Sequence, residues 1–170
     1  LTLTFTDPVL SFDLGSSISY FPQKVESAIV SALPWTIGLL AVATVISFGL
    51  GSLIGALIAW PGSPRFLKSL SPALMVLSAI PYYLLALIIL YLLAIWTGWF
   101  PLGGAYSQLP QRFDLMTLWD LVYHAFLPAL SIVLAGVGFW ALGMRGAMIN
   151  VLGEDYLTLA EAKGLPKRRI

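Results

Sequence analysis

The sequence predicts an all-α fold, a polytopic transmembrane helical bundle, on three observations. Hydrophobic residues make up 59% of the chain and charged residues only 10%, far below the roughly 25% charged residues of a soluble domain. Three runs, residues 35–60, 72–96 and 125–144, contain no Asp, Glu, Lys or Arg. Each offers at least the roughly 20 helical residues that cross a hydrocarbon layer about 30 Å thick, where a helix satisfies its own backbone polar groups.

Residues 1–34 are predicted as an external loop, because they mix polar and apolar side chains around the breakers Pro8, Gly15 and Pro22. Within them, 25–33 suits a short amphipathic helix, and Pro34 fits the first turn of the first span, where a missing N–H costs nothing. The link Pro61-Gly62-Ser63-Pro64 cannot continue a helix, which predicts a tight turn and makes the first two spans antiparallel neighbours. A second external loop, about 97–124, carries Gly103, Gly104 and Pro110. In it Leu115, Leu118, Trp119, Val122 and Tyr123 recur at helical spacing and predict a short helix lying at the interface. Trp96, Trp99, Phe100, Trp119 and Tyr123 mark the outer headgroup level, and Trp35 and Tyr106 are candidates for the same belt.

Net charge is only +1, but its distribution is uneven. Arg65 and Lys68 lie between the first two spans, and Arg145, Lys163, Lys167, Arg168 and Arg169 follow the third. Lys24 and Arg112 fall on the other side with Asp7, Asp13, Glu26, Asp114 and Asp120. The positive-inside rule then puts the N-terminal segment outside and the C-terminal segment, residues 146–170, in the cytoplasm. A basic run such as Lys167, Arg168 and Arg169 binds any polyanion in principle, but beside a span it reads as a topology determinant, and nothing resembles a nucleic-acid fold. Secretory-signal features are not indicated at the N-terminus, and with no Cys there are no disulfides or thiolate metal sites.

In the first span Ala43, Ser47, Gly51, Gly55 and Ala59 recur every four residues and align small side chains on one helix face, which lets another backbone approach closely. Ordinary packing between helices of the chain is the favoured reading of this stripe, with a dimerisation or pore-lining seam as the alternative. Pro81 interrupts the second span and removes one backbone hydrogen bond, so a kink is expected there. The sequence does not choose between a hinge and a static bend.

Beyond the third span, residues 146–163 are mostly good helix formers, with Met148, Val151, Leu152, Tyr156 and Leu159 on one apolar face. Gly164 supplies the left-handed conformation that ends a helix, and Pro166 prevents its resumption. A short amphipathic helix followed by a sharp reversal is the prediction. Its apolar ridge, rimmed by Glu154, Asp155, Glu161 and Lys163, suits either a hydrophobic groove on a partner or the inner leaflet of the membrane.

The peptide-type version of the cytoplasmic loop of ABC-importer permeases has the form Asp-Tyr, a few residues, then Ala-x-Ala-Lys-Gly-Leu. Asp155-Tyr156 and Ala160-Glu161-Ala162-Lys163-Gly164-Leu165 resemble it, with Arg145 where that family tends to carry a basic residue. The general loop pattern is Glu-Ala-Ala, three residues, Gly. Counting back from Gly164 puts those positions at Thr158, Leu159 and Ala160, so the conspicuous Glu161-Ala162 is out of register and only Ala160 and Gly164 match. Five further segments fall in the family's order: Phe12-Asp13-Leu14-Gly15-Ser16, Leu33-Pro34-Trp35-Thr36, Ile80-Pro81, Phe100-Pro101-Leu102-Gly103-Gly104 and His124-Ala125-Phe126-Leu127-Pro128-Ala129. The chain thus resembles, over nearly its whole length, the first-encoded permease subunit of dipeptide and oligopeptide ABC importers.

That resemblance implies a type I ABC importer permease fold, with helices two to four of about six visible in an incomplete chain. It further implies half of a translocation pathway for peptides or similar small solutes, in a prokaryotic inner membrane. Its partners would be a second permease subunit, two cytosolic ATP-binding subunits, an extracytoplasmic solute-binding protein and the lipid bilayer. ATP and Mg would be bound in the ATP-binding subunits, with no cofactor or metal held by this chain. Asp155, Tyr156, Ala160, Lys163, Gly164 and Leu165 would dock the ATPase. An enzyme is disfavoured, because the spans carry no polar catalytic set; His124, the single histidine, reads as an interfacial hydrogen-bonding side chain. An ion-coupled carrier usually places ionisable groups at the midplane, which these spans lack. A purely structural membrane subunit is the remaining alternative, and it predicts no dependence on an ATPase.

Overall fold

A computed structural model describes residues 2–4, 11–107 and 114–166. Asp7, Pro8, Pro110, Arg112 and the basic residues Lys167, Arg168 and Arg169 lie outside the described residues. The described chain is helical apart from one short antiparallel hairpin, β1 (Thr2–Thr4) with β2 (Ser11–Asp13). Six α-helices follow: α1 (Val25–Ala59), α2 (Arg65–Lys68), α3 (Ser71–Ala79), α4 (Tyr82–Leu90), α5 (Leu115–Leu152) and α6 (Asp155–Ala162). A π-helical segment, Tyr91–Trp96, continues α4.

The chain divides into two compact units, residues 1–41 and 42–170, and α1 contributes to both. In the first, the hairpin leads into a loop that closes on itself: Ser17 N–H donates to the Gln23 carbonyl at 2.8 Å, and Gln23 N–H to that of Tyr20 at 2.7 Å. Gly15, at φ +79°, accepts from Val25 N–H at 3.1 Å, while Glu26 in the first turn accepts from Leu14 N–H at 3.2 Å. A separate amphipathic helix over 25–33 does not form. Those residues are the start of α1, and Pro34 lies inside the helix instead of in its first turn. Only one N–H is lost at Pro34, and long apolar helices tolerate such a loss.

Among the described residues, α1 and α5 are the helices long and apolar enough to cross a membrane, and the α2–α3 and α4–π pair makes a third span if taken together. That pair is bent by 95°, so the kink expected at Pro81 is a full break. Ile80 and Pro81 are extended, at ψ 121° and 137°, because the proline ring drives the preceding residue out of the α region and supplies no N–H. Both halves pack on α5. The interface helix expected over 115–123 is instead the beginning of α5. No breaker separates Asp114 from the apolar run, and Pro128 is absorbed within the helix.

Ile58, Leu74, Val137 and Ala141 form the buried cluster, flanked by Ile54, Leu67, Val133 and Leu142. In lipid, removing Leu from hydrocarbon gains little, so close backbone packing has to hold such helices together. The buried hydroxyls are satisfied within their own helices: Ser47 donates to the Thr44 carbonyl at 3.0 Å and Ser131 to that of Pro128 at 2.8 Å.

Candidate functional site

The stretch 146–163 is shared between two helices, the end of α5 and α6, and is not the one amphipathic helix expected there. α5 runs to Leu152, where Gly153 caps it by donating to the Ile149 and Asn150 carbonyls at 3.2 and 3.1 Å. Glu154 then opens α6, its carbonyl accepting from Leu157 N–H at 3.1 Å. Glycine weakens helix continuation, and Glu154 with Asp155 favours a new N-terminus, where acidic side chains oppose the helix dipole. The apolar face therefore splits, with Met148, Val151 and Leu152 on α5 and Tyr156 and Leu159 on α6.

At the far end of α6, Gly164 takes φ +72°, and Leu165 N–H reaches back to the Ala160 carbonyl at 3.3 Å while Lys163 N–H bonds that of Leu159 at 3.0 Å. The six-to-one bond closing over a left-handed glycine is the Schellman C-cap. It fixes the direction in which the chain leaves toward Pro166. Tyr156 and Leu159 are more than half exposed, Leu165 is 41% exposed, and Asp155 and Lys163 are exposed beside them. Ala160 is half-buried. α6 thus presents exposed apolar side chains with charged ones beside them.

The small-residue stripe lies where α1 crosses α5. Ala43, Ser47, Gly51 and Gly55 are buried, whereas Ala59 is half-buried and Ile58 takes the next inward position. A Cβ added at Gly51 would stand 2.6 Å from Trp140 Cβ and 2.9 Å from the Val137 carbonyl, and one at Gly55 would collide with the Ala141 carbonyl. The reciprocal glycines on α5 escaped the sequence reading. A Cβ at Gly136 would come within 2.7 Å of Ser47 Oγ, and one at Gly138 within 2.8 Å of the Leu74 carbonyl on α3. Spaced two apart, Gly136 and Gly138 face different neighbours, so they give no four-residue signal.

At the opposite end of α5, the stretch 97–107 is tied to the helix. Asp120 accepts from Ser107 twice, from N–H and from Oγ, both at 2.7 Å. Tyr123 Oη donates to the Trp99 carbonyl, and Phe100 stacks on Tyr123 and Phe126 with centroids 5.3 and 4.9 Å apart. His124 Nδ1 lies 2.9 Å from the Asp120 carbonyl and 3.3 Å from its Oδ1. Of the belt residues, Trp96, Trp99 and Trp119 are broadly exposed, while Phe100 and Tyr123 are packed together. Asp114 N-caps α5, accepting from Thr117 N–H at 2.8 Å and Thr117 Oγ1 at 2.8 Å. Those donors, the backbone N–H first, hold its carboxyl below the usual aspartate range. Among the described residues no three His, Cys, Asp or Glu side chains gather to hold a metal.

Comparison with known proteins fits this arrangement. The family described as "Binding-protein-dependent transport system inner membrane component" matches residues 51–170, from the middle of the glycine stripe through the α5–α6 corner. The chain is 29% identical over 158 residues to the oligopeptide transport system permease protein AppB of Bacillus subtilis, covering 93% of this chain and 49% of that protein. It is 32% identical over 160 residues to the oligopeptide transport system permease protein OppB of Haemophilus influenzae, covering 93% and 48%. A probable peptide ABC transporter permease protein of Sinorhizobium fredii is 30% identical over 156 residues, covering 92% and 48%. The chain spans about half the length of these relatives. An apolar helical bundle with a glycine-locked crossing and a glycine-capped last helix, matched by the family over more than half of its residues, the chain belongs to the family of binding-protein-dependent transport system inner-membrane components.

Proposed function

We propose that this chain is part of the permease subunit of an ATP-driven peptide importer, and that α6 with its glycine cap is where cytosolic ATPase subunits push. The observation that carries this is the Schellman-capped α6, which follows α5 after Gly153 and leaves Tyr156, Leu159 and Leu165 exposed. A motor must act on something stiff, and a capped helix with an apolar ridge is a common groove-docking element. Asp155, Tyr156, Ala160, Lys163, Gly164 and Leu165 are the docking set, with Gly164 setting the exit direction.

In this reading the corner is cytoplasmic, in keeping with the basic residues Arg65, Lys68, Arg145 and Lys163 at that end. A second permease completes the pathway, two ATP-binding subunits hold ATP and Mg, and an extracytoplasmic binding protein delivers solute to the end carrying 97–107. The names of the relatives support peptides as the solute class. The broken span at Ile80-Pro81 supplies a joint for alternating access.

The test is Gly164→Val in the assembled transporter, scored by ATP-dependent peptide uptake and by copurification of the ATPase. A β-branched residue is strained at φ +72°, so uptake is expected to collapse while membrane insertion persists. Full uptake with normal ATPase retention would remove α6 from the coupling path.

A further inference from the structure

A cavity of about 240 Å³ opens where α1 ends and α3 begins, lined by Ile58, Ala59, Lys68, Ser71, Arg145 and Ile149. Its two charged walls are both cationic, one from α2 and one from α5. Neither has a carboxylate partner among the described residues. The rest of the lining is aliphatic apart from Ser71, and of it Ile149 is the residue most open, 46% exposed, while Ile58 is buried behind. The site stands at the ends of apolar runs, beside Trp60, which is 56% exposed and suited to the headgroup level.

The geometry points to a site for the phosphate headgroup of an anionic membrane lipid, with the phosphate between Lys68 and Arg145 and the upper acyl chain against Ile58, Ala59 and Ile149. Two unneutralised cations in a recess call for an anion, and Arg binds phosphate through its planar fork while Lys acts as a point charge. Size separates the lipid from transported solute. Pockets that hold whole drug-sized ligands run to about 300–1,000 Å³, so this recess fits a headgroup and not a peptide. Its aliphatic wall separates lipid from free phosphate, which has no use for it. Basic recesses between helices at the membrane surface bind lipid headgroups in this way. The assignment requires only that the chain crosses a membrane, and it is independent of α6 and its docking role.

The experiment uses the full-length protein in nanodiscs of phosphatidylcholine doped with phosphatidylglycerol, with retained lipid counted by native mass spectrometry. Wild type is expected to keep phosphatidylglycerol in preference to phosphatidylcholine, and the preference should fall about fivefold for each cation removed in Lys68→Gln and Arg145→Gln. Lys68→Arg should keep it. Lys68 is exposed, so the single variant remains informative if the Arg145 variant misfolds. Equal retention by wild type and both Gln variants would overturn the site, as would displacement of the lipid by excess inorganic phosphate. Unchanged lipid retention with loss of a partner subunit from Lys68→Gln would overturn it too, assigning the cations to a partner's carboxylate.

Discussion

Gly51 and Gly55 have no room for a side chain, whereas a Cβ at Gly49, on the same helix, meets nothing within 4 Å. Gly55→Leu must part α1 from the α5 backbone, and overpacking of this kind costs about 1–3 kcal/mol. Gly49→Ala should be neutral or slightly stabilising, because alanine is the better helix former. Thermal unfolding in detergent, followed by helical circular dichroism, separates the two. Similar melting temperatures would mean that the crossing does not hold the bundle. Asp114 gives a second test at this scale, through Asp114→Asn. Its folded-state carboxyl is held below the unfolded value, so its support of α5 is fully present above the ordinary aspartate range and is lost as pH falls through the depressed folded value. Amide protection over residues 115–118, taken relative to the intrinsic exchange rate at each pH, should fall in wild type under acid, and the Asn variant should lack that acid-induced change. The four-residue stripe was legible because period four is visible in one dimension. Gly136 and Gly138 were not, since which neighbour each one faces depends on how three helices meet.

At the scale of elements, four boundaries came out differently from the sequence pattern, and each difference has a local cause. Amphipathic signals at 25–33 and 115–123 were real, but nothing in either stretch stops the helix from running on into its span. Proline at 34 and 128 was absorbed, while proline at 81 broke its span, and the backbone at Ile80 and Pro81 records the difference. Residue type alone does not say which proline a helix accommodates. Gly153 acted as a stop although Gly146, also in α5, did not; the acidic pair that follows Gly153 supplies the next N-terminus. Pro81→Ala restores a donor and relieves Ile80, so the two half-helices should straighten. Spin labels on α3 and α4 are expected to report a longer separation than in wild type, with uptake reduced if the break is the joint used in transport. An unchanged distance would assign the bend to the packing of both halves on α5.

For the molecule as a whole, membrane class and family were legible from composition and from the spacing around Gly164, whereas the latch between 97–107 and α5 was not. Asp120 and Ser107 are thirteen residues apart, and no short motif marks that pairing. The latch has a bearing on how force travels. α5 is one unbroken helix of 38 residues, about 57 Å long at roughly 1.5 Å per residue, and thus nearly twice the thickness of a hydrocarbon core of about 30 Å. One end holds the 97–107 stretch, and the other carries α6. In the chain, which has no native cysteine, Ser107→Cys with Asp120→Cys places a cross-link across the latch. Uptake by the oxidised protein should equal that of the reduced protein if stretch and helix travel together; inhibition reversed by reductant would show that they part during the cycle. If they do travel together, α5 is a connecting rod. Under the function proposed above, a nucleotide event felt at α6 would then reach the far end of the helix as bodily displacement, at the speed of a rigid part, with no chain of side chains to rearrange along the way.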